Sequence, residues 1–177
     1  METVEALLIG GRSGAGKSSV GLEVAARLRA ADVGHALIEG DLLDAVHPAP
    51  PDDPHRSSIT RRNLAALWAT YAELGCRRLV YTNTASVLAG EESLFTRALH
   101  GPRLIRVLLT ATDATAEQRL RARERGSELA RQLHRSAFMA RHLDTHAAPA
   151  THRVATDGRD VAAIAAEAVA TTGWLPG

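Results

Sequence analysis

The sequence predicts one α/β domain with a five-stranded parallel sheet covered by helices on both faces. Three observations carry this. Short apolar runs alternate with segments of helical spacing along all 177 residues, the pattern of a parallel sheet linked by crossover helices. The first run leads straight into Gly11-Arg12-Ser13-Gly14-Ala15-Gly16-Lys17-Ser18, a complete G-x-x-x-x-G-K-[ST] phosphate-binding loop. No internal repeat and no domain-scale linker interrupts the order, so residues 1–177 read as a single unit.

Val4 to Ile9 is an apolar run closed by glycines and reads as a buried strand. A helix begins near Lys17, with Val20, Val24 and Leu28 at helical spacing. Strand, loop and helix in that order form the context the motif needs, because backbone N–H groups of Gly14 to Ser18 then wrap an anion at a helix N-terminus. Ala36 to Glu39 is the second strand, closed by Gly40-Asp41. The proline-rich stretch from His47 to Pro54 cannot be regular structure and reads as a long surface loop. Leu64, Leu67, Trp68, Tyr71 and Leu74 then mark one apolar helix face. Arg78 to Thr82 is the third strand, followed by a helix over 89–99, and Leu104 to Leu109 is the fourth. Helices over 114–125 and 128–143 meet at Gly126, and His152 to Thr156 is the last strand. Asp160 caps a final helix whose Val161, Ile164, Ala165 and Ala168 share a face.

Lys17 is the only lysine among 21 basic residues. A compact ammonium on a thin stem reaches between the β- and γ-phosphates of a nucleotide, where a planar guanidinium is too broad for a closed loop. The chain is therefore expected to bind a nucleoside triphosphate. A net charge of +1 gives no general attraction to nucleic acid or to a membrane surface. Cys76 is the one cysteine, no secretory signal precedes the first apolar run, and no stretch is long and apolar enough to span a bilayer. A cytoplasmic protein, monomer or homodimer, is the expectation. The eight histidines show no metal-ligand spacing. No strand ends in Asp-Glu, as a motor ATPase needs, and one lysine cannot also supply the Asn-Lys-x-Asp base reader of a GTPase.

Small-molecule kinases of the same loop class need neither feature, and here the sequence resembles a known group. Ile38-Glu39-Gly40-Asp41, the spaced arginines of Arg119 to Gly126, and Ala155-Thr156-Asp157-Gly158-Arg159-Asp160 are similar to segments of the compact P-loop kinases related to adenylyl-sulfate kinase, gluconate kinase and chloramphenicol phosphotransferase. The chain looks like an actinobacterial-type branch of that group rather than any one named kinase. Asp41 is followed by Leu42-Leu43-Asp44, without the Asn and Arg that adenylyl-sulfate kinases carry there, which argues against that acceptor. The resemblance implies a nucleoside-monophosphate-kinase-like P-loop NTPase fold. It also implies ATP and Mg2+, a small-molecule acceptor and a lid near residues 119–135, with Gly158 in a loop beside the adenine.

The residues take roles accordingly. Lys17 would bridge the β- and γ-phosphates and the Ser18 hydroxyl would hold Mg2+, with Gly11, Ser13, Gly14, Ala15 and Gly16 completing the loop. Ser19 either touches the α-phosphate or is simply polar at a helix start. Asp41, just past a strand end, is the candidate base or magnesium-water ligand; the dull alternative is a turn aspartate. Asp44 more simply caps the next segment. Of Arg119, Arg123 and Arg125, at least one should reach the nucleotide, with Arg123 the choice for the transferred phosphoryl group; the alternative is a solvated helix face. Arg56, Arg61 and Arg62 suit an anionic acceptor or a solvated helix start, and Asn83 could bind acceptor hydroxyls. The leading expectation is transfer of the γ-phosphoryl group of ATP to a hydroxyl, less readily to a phosphate, of a small molecule. The alternatives are a nucleotide-binding regulatory or resistance module with weak or no catalysis, and a nucleic-acid end kinase, which the charge balance disfavours.

Overall fold

The computed structural model describes residues 3–123 and 128–175. Its strands are β1 (Glu5–Gly11), β2 (Ala36–Glu39), β3 (Arg78–Thr82), β4 (Arg103–Thr110) and β5 (His152–Ala155). They form one sheet in the order β2-β3-β1-β4-β5, with every neighbouring pair parallel. The helices are α1 (Lys17–Ala30), α2 (Ser57–Glu73), α3 (Glu92–Ala98), α4 (Asp113–Arg123), α5 (Leu129–His146) and α6 (Val161–Ala170).

Central β1 is buried on both faces, which is why its sequence is continuously apolar instead of alternating. Ala6 and Leu8 face a core with Leu64, Trp68, Tyr81, Phe95 and Leu143, drawn from α2, β3, α3 and α5. Leu7 and Ile9 face the opposite core, where Val20, Val24 and Leu28 of α1 meet Ile164 and Ala168 of α6. With few aromatics available, one edge-on pair anchors the first core: Tyr81 and Phe95 have ring centroids 5.0 Å apart at 82°. On the other face α1 lies close to the sheet, because a Cβ on Gly21 would come within 2.6 Å of Thr82 Cγ2.

Several expected details differ. On α2 only Leu64 and Trp68 are buried. Leu67 is 38% exposed and Leu74 is 82% exposed, since Leu74 lies past the end of the helix and no longer follows its spacing. Val161, in the first turn of α6, is exposed, while Ile164, Ala165 and Ala168 are buried as the face predicts. The helix expected from Ala89 begins at Glu92, because Gly90 adopts a positive φ of 96° and its N–H donates to the Glu92 carboxylate at 2.8 Å. The helix expected to end at Leu143 runs to His146. Asp160 does cap α6: its Oδ1 accepts the Ala163 N–H at 2.7 Å. Arg125 and Gly126 lie outside the described residues.

Candidate active site

The phosphate loop leaves the carboxyl end of β1 and closes on α1, whose first residue is Lys17. Gly16 sits at the N-cap with φ of 94°, a left-handed turn that a residue with a Cβ resists. Gly14 has a second constraint: a Cβ there would lie 2.7 Å from the Ala116 carbonyl oxygen. Gly11 similarly backs onto the Leu109 carbonyl, and Ala15 is buried. These small residues let the backbone fold tightly enough to turn its N–H groups inward.

Ser13, Gly14, Gly16, Lys17, Ser18 and Ser19 line a cavity of about 280 Å3, whose other walls are Asp41, Arg119, Leu120 and Arg123. Residues from the loop, the end of β2 and α4 thus meet in one place, although Asp41 and Arg123 are far from Lys17 in sequence. Lys17 is 8% exposed, and its Nζ donates to the Arg12 carbonyl at 3.4 Å. Burial pushes its ammonium below the usual lysine value. Asp41 opposes that shift, Arg123 adds to it and Glu39 opposes it more weakly.

Ser18 Oγ donates to Glu39 Oε2 at 2.9 Å. Glu39 was not among the residues singled out from sequence, although it stands in the acidic tetrapeptide that closes β2. No local sequence signal marks it; the structure does, by placing it at the end of an edge strand in register with Thr82 of β3. Next to it, Asp41 lies in a short 3-10 turn (Gly40–Leu42), and the Asn83 amide donates to Asp41 Oδ1 at 2.7 Å. Asn83 in turn accepts the Ala85 N–H at 2.9 Å, so the loop after β3 fixes the amide that orients the carboxylate. A hydroxyl and two carboxylates are hard oxygen donors of the kind Mg2+ selects, and the donor set therefore fits that ion.

Arg119 reaches the loop from α4. Its Nη1 donates to the Gly14 carbonyl at 3.1 Å and to Thr156 Oγ1 at 3.0 Å, and its Nη2 to the Thr156 carbonyl at 3.0 Å. It thereby joins the loop to the end of β5, where Gly158 turns with φ of 66°. The adjacent Asp157 accepts the Thr112 hydroxyl at 2.7 Å and the Thr112 N–H at 3.1 Å. Hydrogen bonds from Thr115 and Thr112 bring its carboxyl down to about 2. The basic residues of α2 stand apart. Arg56 takes a left-handed conformation and donates to the Val46 carbonyl at 3.1 Å, while Arg61 and Arg62 are exposed. None of the three lines the cavity around Lys17. Among the described residues no helix is long and apolar enough to cross a membrane, and no group of three or more His, Cys, Asp or Glu forms a metal cluster.

No family model and no curated protein matches the chain. Solved structures do. A gluconokinase from Sinorhizobium meliloti superposes with a TM-score of 0.60 at 22% identity, over 97% of this chain and 92% of the other. The APS kinase of Mycobacterium tuberculosis, solved with AMPPNP and APS, gives 0.64 at 19% identity over 98% and 99%. A tunicamycin resistance protein from Deinococcus radiodurans gives 0.64 at 18% identity over 98% and 97%. At such identities the likeness establishes architecture, and it spans essentially the full length of both partners. The chain therefore has the α/β P-loop NTPase fold, in the form found in gluconokinase and APS kinase, with the phosphate loop complete.

Proposed function

We propose that the protein is a kinase that moves the γ-phosphoryl group of ATP to a hydroxyl of a small molecule. The observation that supports this best is the single cavity shared by Lys17, Ser18, Asp41 and Arg123. The loop's N–H groups and Lys17 bind the phosphates, while Arg123, at the end of α4, supplies further positive charge where the phosphoryl group is transferred. Asp41, oriented by Asn83, accepts the proton of the acceptor hydroxyl as the new O–P bond forms and the bond to ADP breaks. Ser18, Glu39 and Asp41 would hold Mg2+, which neutralises charge on the phosphate oxygens when bound. The kinase names of two structural neighbours agree with this reading.

The acceptor would be addressed by Asp41, whose carboxylate can accept from a hydroxyl while Asn83 holds its other face. Incubating the protein with ATP, Mg2+ and pooled hydroxylated metabolites, and following ADP release with mass analysis of products, tests the proposal. Acceptor-dependent ADP formation is expected. Tight ATP binding with no acceptor-dependent turnover would overturn it. A second reading, a resistance module acting on an antibiotic or merely binding nucleotide, draws on the likeness to the tunicamycin resistance protein. Including antibiotics in the acceptor pool separates the two.

A further inference from the structure

Arg12 fills the first variable position of the phosphate loop, where the nucleotide requires only backbone. Its side chain is nonetheless long, charged and 5% exposed. Buried charges need partners, and Arg12 finds three. Its Nε donates to Ser136 Oγ in α5 at 2.8 Å, its Nη1 donates to the Ala111 carbonyl at 3.5 Å, and Nη1 also pairs with Asp113, the first residue of α4. Ser136 is 1% exposed, and its hydroxyl donates a hydrogen bond to the Ser13 carbonyl at 2.7 Å. One hydroxyl is thus held between the guanidinium of Arg12 and the main chain of the next residue. The Arg12 carbonyl, at the other end of the same residue, accepts Lys17 Nζ at 3.4 Å and the Ala15 N–H at 3.1 Å. What fixes Arg12 therefore fixes the arch on which Lys17 rests.

We infer that Arg12 and Ser136 form a brace between the phosphate loop and α5, making Arg12 a positioning residue that acts through Lys17. The inference deepens the kinase reading at the nucleotide site but needs only nucleotide binding to be tested. Burial decides which bond matters. The Asp113 side chain is 75% exposed, so water screens its pairing with Arg12 and makes it weak. The Arg12–Ser136 bond has no competing water, and removing one partner leaves a buried donor unsatisfied. Lysine cannot replace Arg12, because one ammonium cannot span Ser136, Ala111 and Asp113 as the planar fork does. Coupling is reciprocal: if the brace sets the loop for phosphate, bound phosphate must steady α5.

The test uses a non-hydrolysable ATP analogue with Mg2+, titrated calorimetrically, together with amide hydrogen exchange across residues 129–146. In the unmodified protein the analogue should slow exchange in α5. Arg12→Met and Ser136→Ala should each weaken analogue binding by roughly tenfold and abolish that slowing, while Asp113→Asn changes affinity at most about twofold. The double variant should bind no worse than the weaker single, since both break one bond. Arg12→Met keeps the Ser136 hydroxyl on the Ser13 carbonyl, so it remains the folded reference even where Ser136→Ala does not fold. A purely structural role would lower the melting temperature with analogue affinity and the α5 response intact, and that result overturns the brace. So would effects that multiply in the double variant. Failure of phosphoryl transfer, with the binding results as expected, would count against the kinase reading and leave the brace standing.

Discussion

The two sides of the cavity around Lys17 are built differently. On one side, Gly11 to Ser18 present main-chain groups, and the small residues Gly14, Ala15 and Gly16 are there to keep side chains out of the way. On the other, Asp41 presents its side chain, backed by Glu39 at the end of β2 and by Asn83 after β3, whose bond to Asp41 spans 42 positions. The first side is a contiguous octapeptide, and its chemistry is common to any nucleotide that brings phosphates. The second exists only because β2 and β3 pair in parallel with Glu39 opposite Thr82, which sets both strand ends at one height. On the proposed kinase reading, local sequence would carry the generic half of the reaction and packing the half that chooses an acceptor.

The largest expected effect would break the backbone side at its one essential side chain. Lys17→Met should lower phosphoryl transfer by a factor on the order of 10³ while the circular dichroism spectrum stays unchanged. The same residue gives a pH test. Burial disfavours its ammonium, so the folded, nucleotide-free protein releases this proton at a lower pH than the unfolded chain does. In that window the unfolded state holds more protons, and stability rises with pH. ATP requires the charged form, so its affinity should fall as pH rises through the window, and Lys17→Met should show no such fall. An affinity in the unmodified protein that is flat across that range would remove Lys17 from the phosphates.

Next in size is the side-chain wall. Asp41→Asn should reduce kcat by a factor on the order of 10² with little change in ATP affinity, the split expected of a base on the acceptor's proton or a ligand of magnesium-bound water. Equal losses in both would make Asp41 a nucleotide ligand instead. Glu39→Gln should raise the Mg2+ concentration needed for half-maximal activity by roughly tenfold, because Ser18 Oγ now hydrogen-bonds a neutral amide. Unaltered metal dependence would take Glu39 out of the ion's surroundings.

A smaller effect probes how the second side is held in place. A Cβ on Gly40 would meet the Tyr81 hydroxyl oxygen at 2.2 Å, so Gly40→Ala must displace either the ring or the turn that carries Asp41. A loss of about 1–3 kcal/mol on denaturation is expected, together with reduced turnover. The smallest effect lies at the rim. Asp157, brought down to about 2 by Thr115 and Thr112, stabilises the fold above the unfolded aspartate value and loses that contribution as pH falls toward 2. It is only partly buried, so Asp157→Asn should cost only about a few tenths of a kcal/mol at neutral pH. The deficit should vanish in acid; a difference that persists at pH 2 would point to packing and not charge.

The strands were legible because a parallel sheet buried on both faces leaves continuous apolar runs: β2 and β3 fall where Ala36 to Glu39 and Arg78 to Thr82 predict them. Helix ends and faces were less so. Leu74 continues the apolar spacing of α2 in sequence but projects into solvent once the helix has ended. The same contrast divides the site. Lys17 and its loop were readable, since eight consecutive residues specify a backbone shape and its anion chemistry. Glu39 went unselected because an acid at a strand end is ordinary until Ser18 is seen 2.9 Å away.

By itself, then, the sequence determined the α/β class, the phosphate loop and the one lysine that serves it, because each depends on residues adjacent in the chain or on a short period. Tertiary structure alone decided that Asn83 orients Asp41, that Arg119 binds the loop carbonyls and Thr156, and that Arg12 is buried against Ser136. Those pairings join groups separated by 42, 105, 37 and 124 positions. Nothing in local periodicity or composition encodes them, because each arises only when the order of strands in the sheet brings distant loops to the same edge.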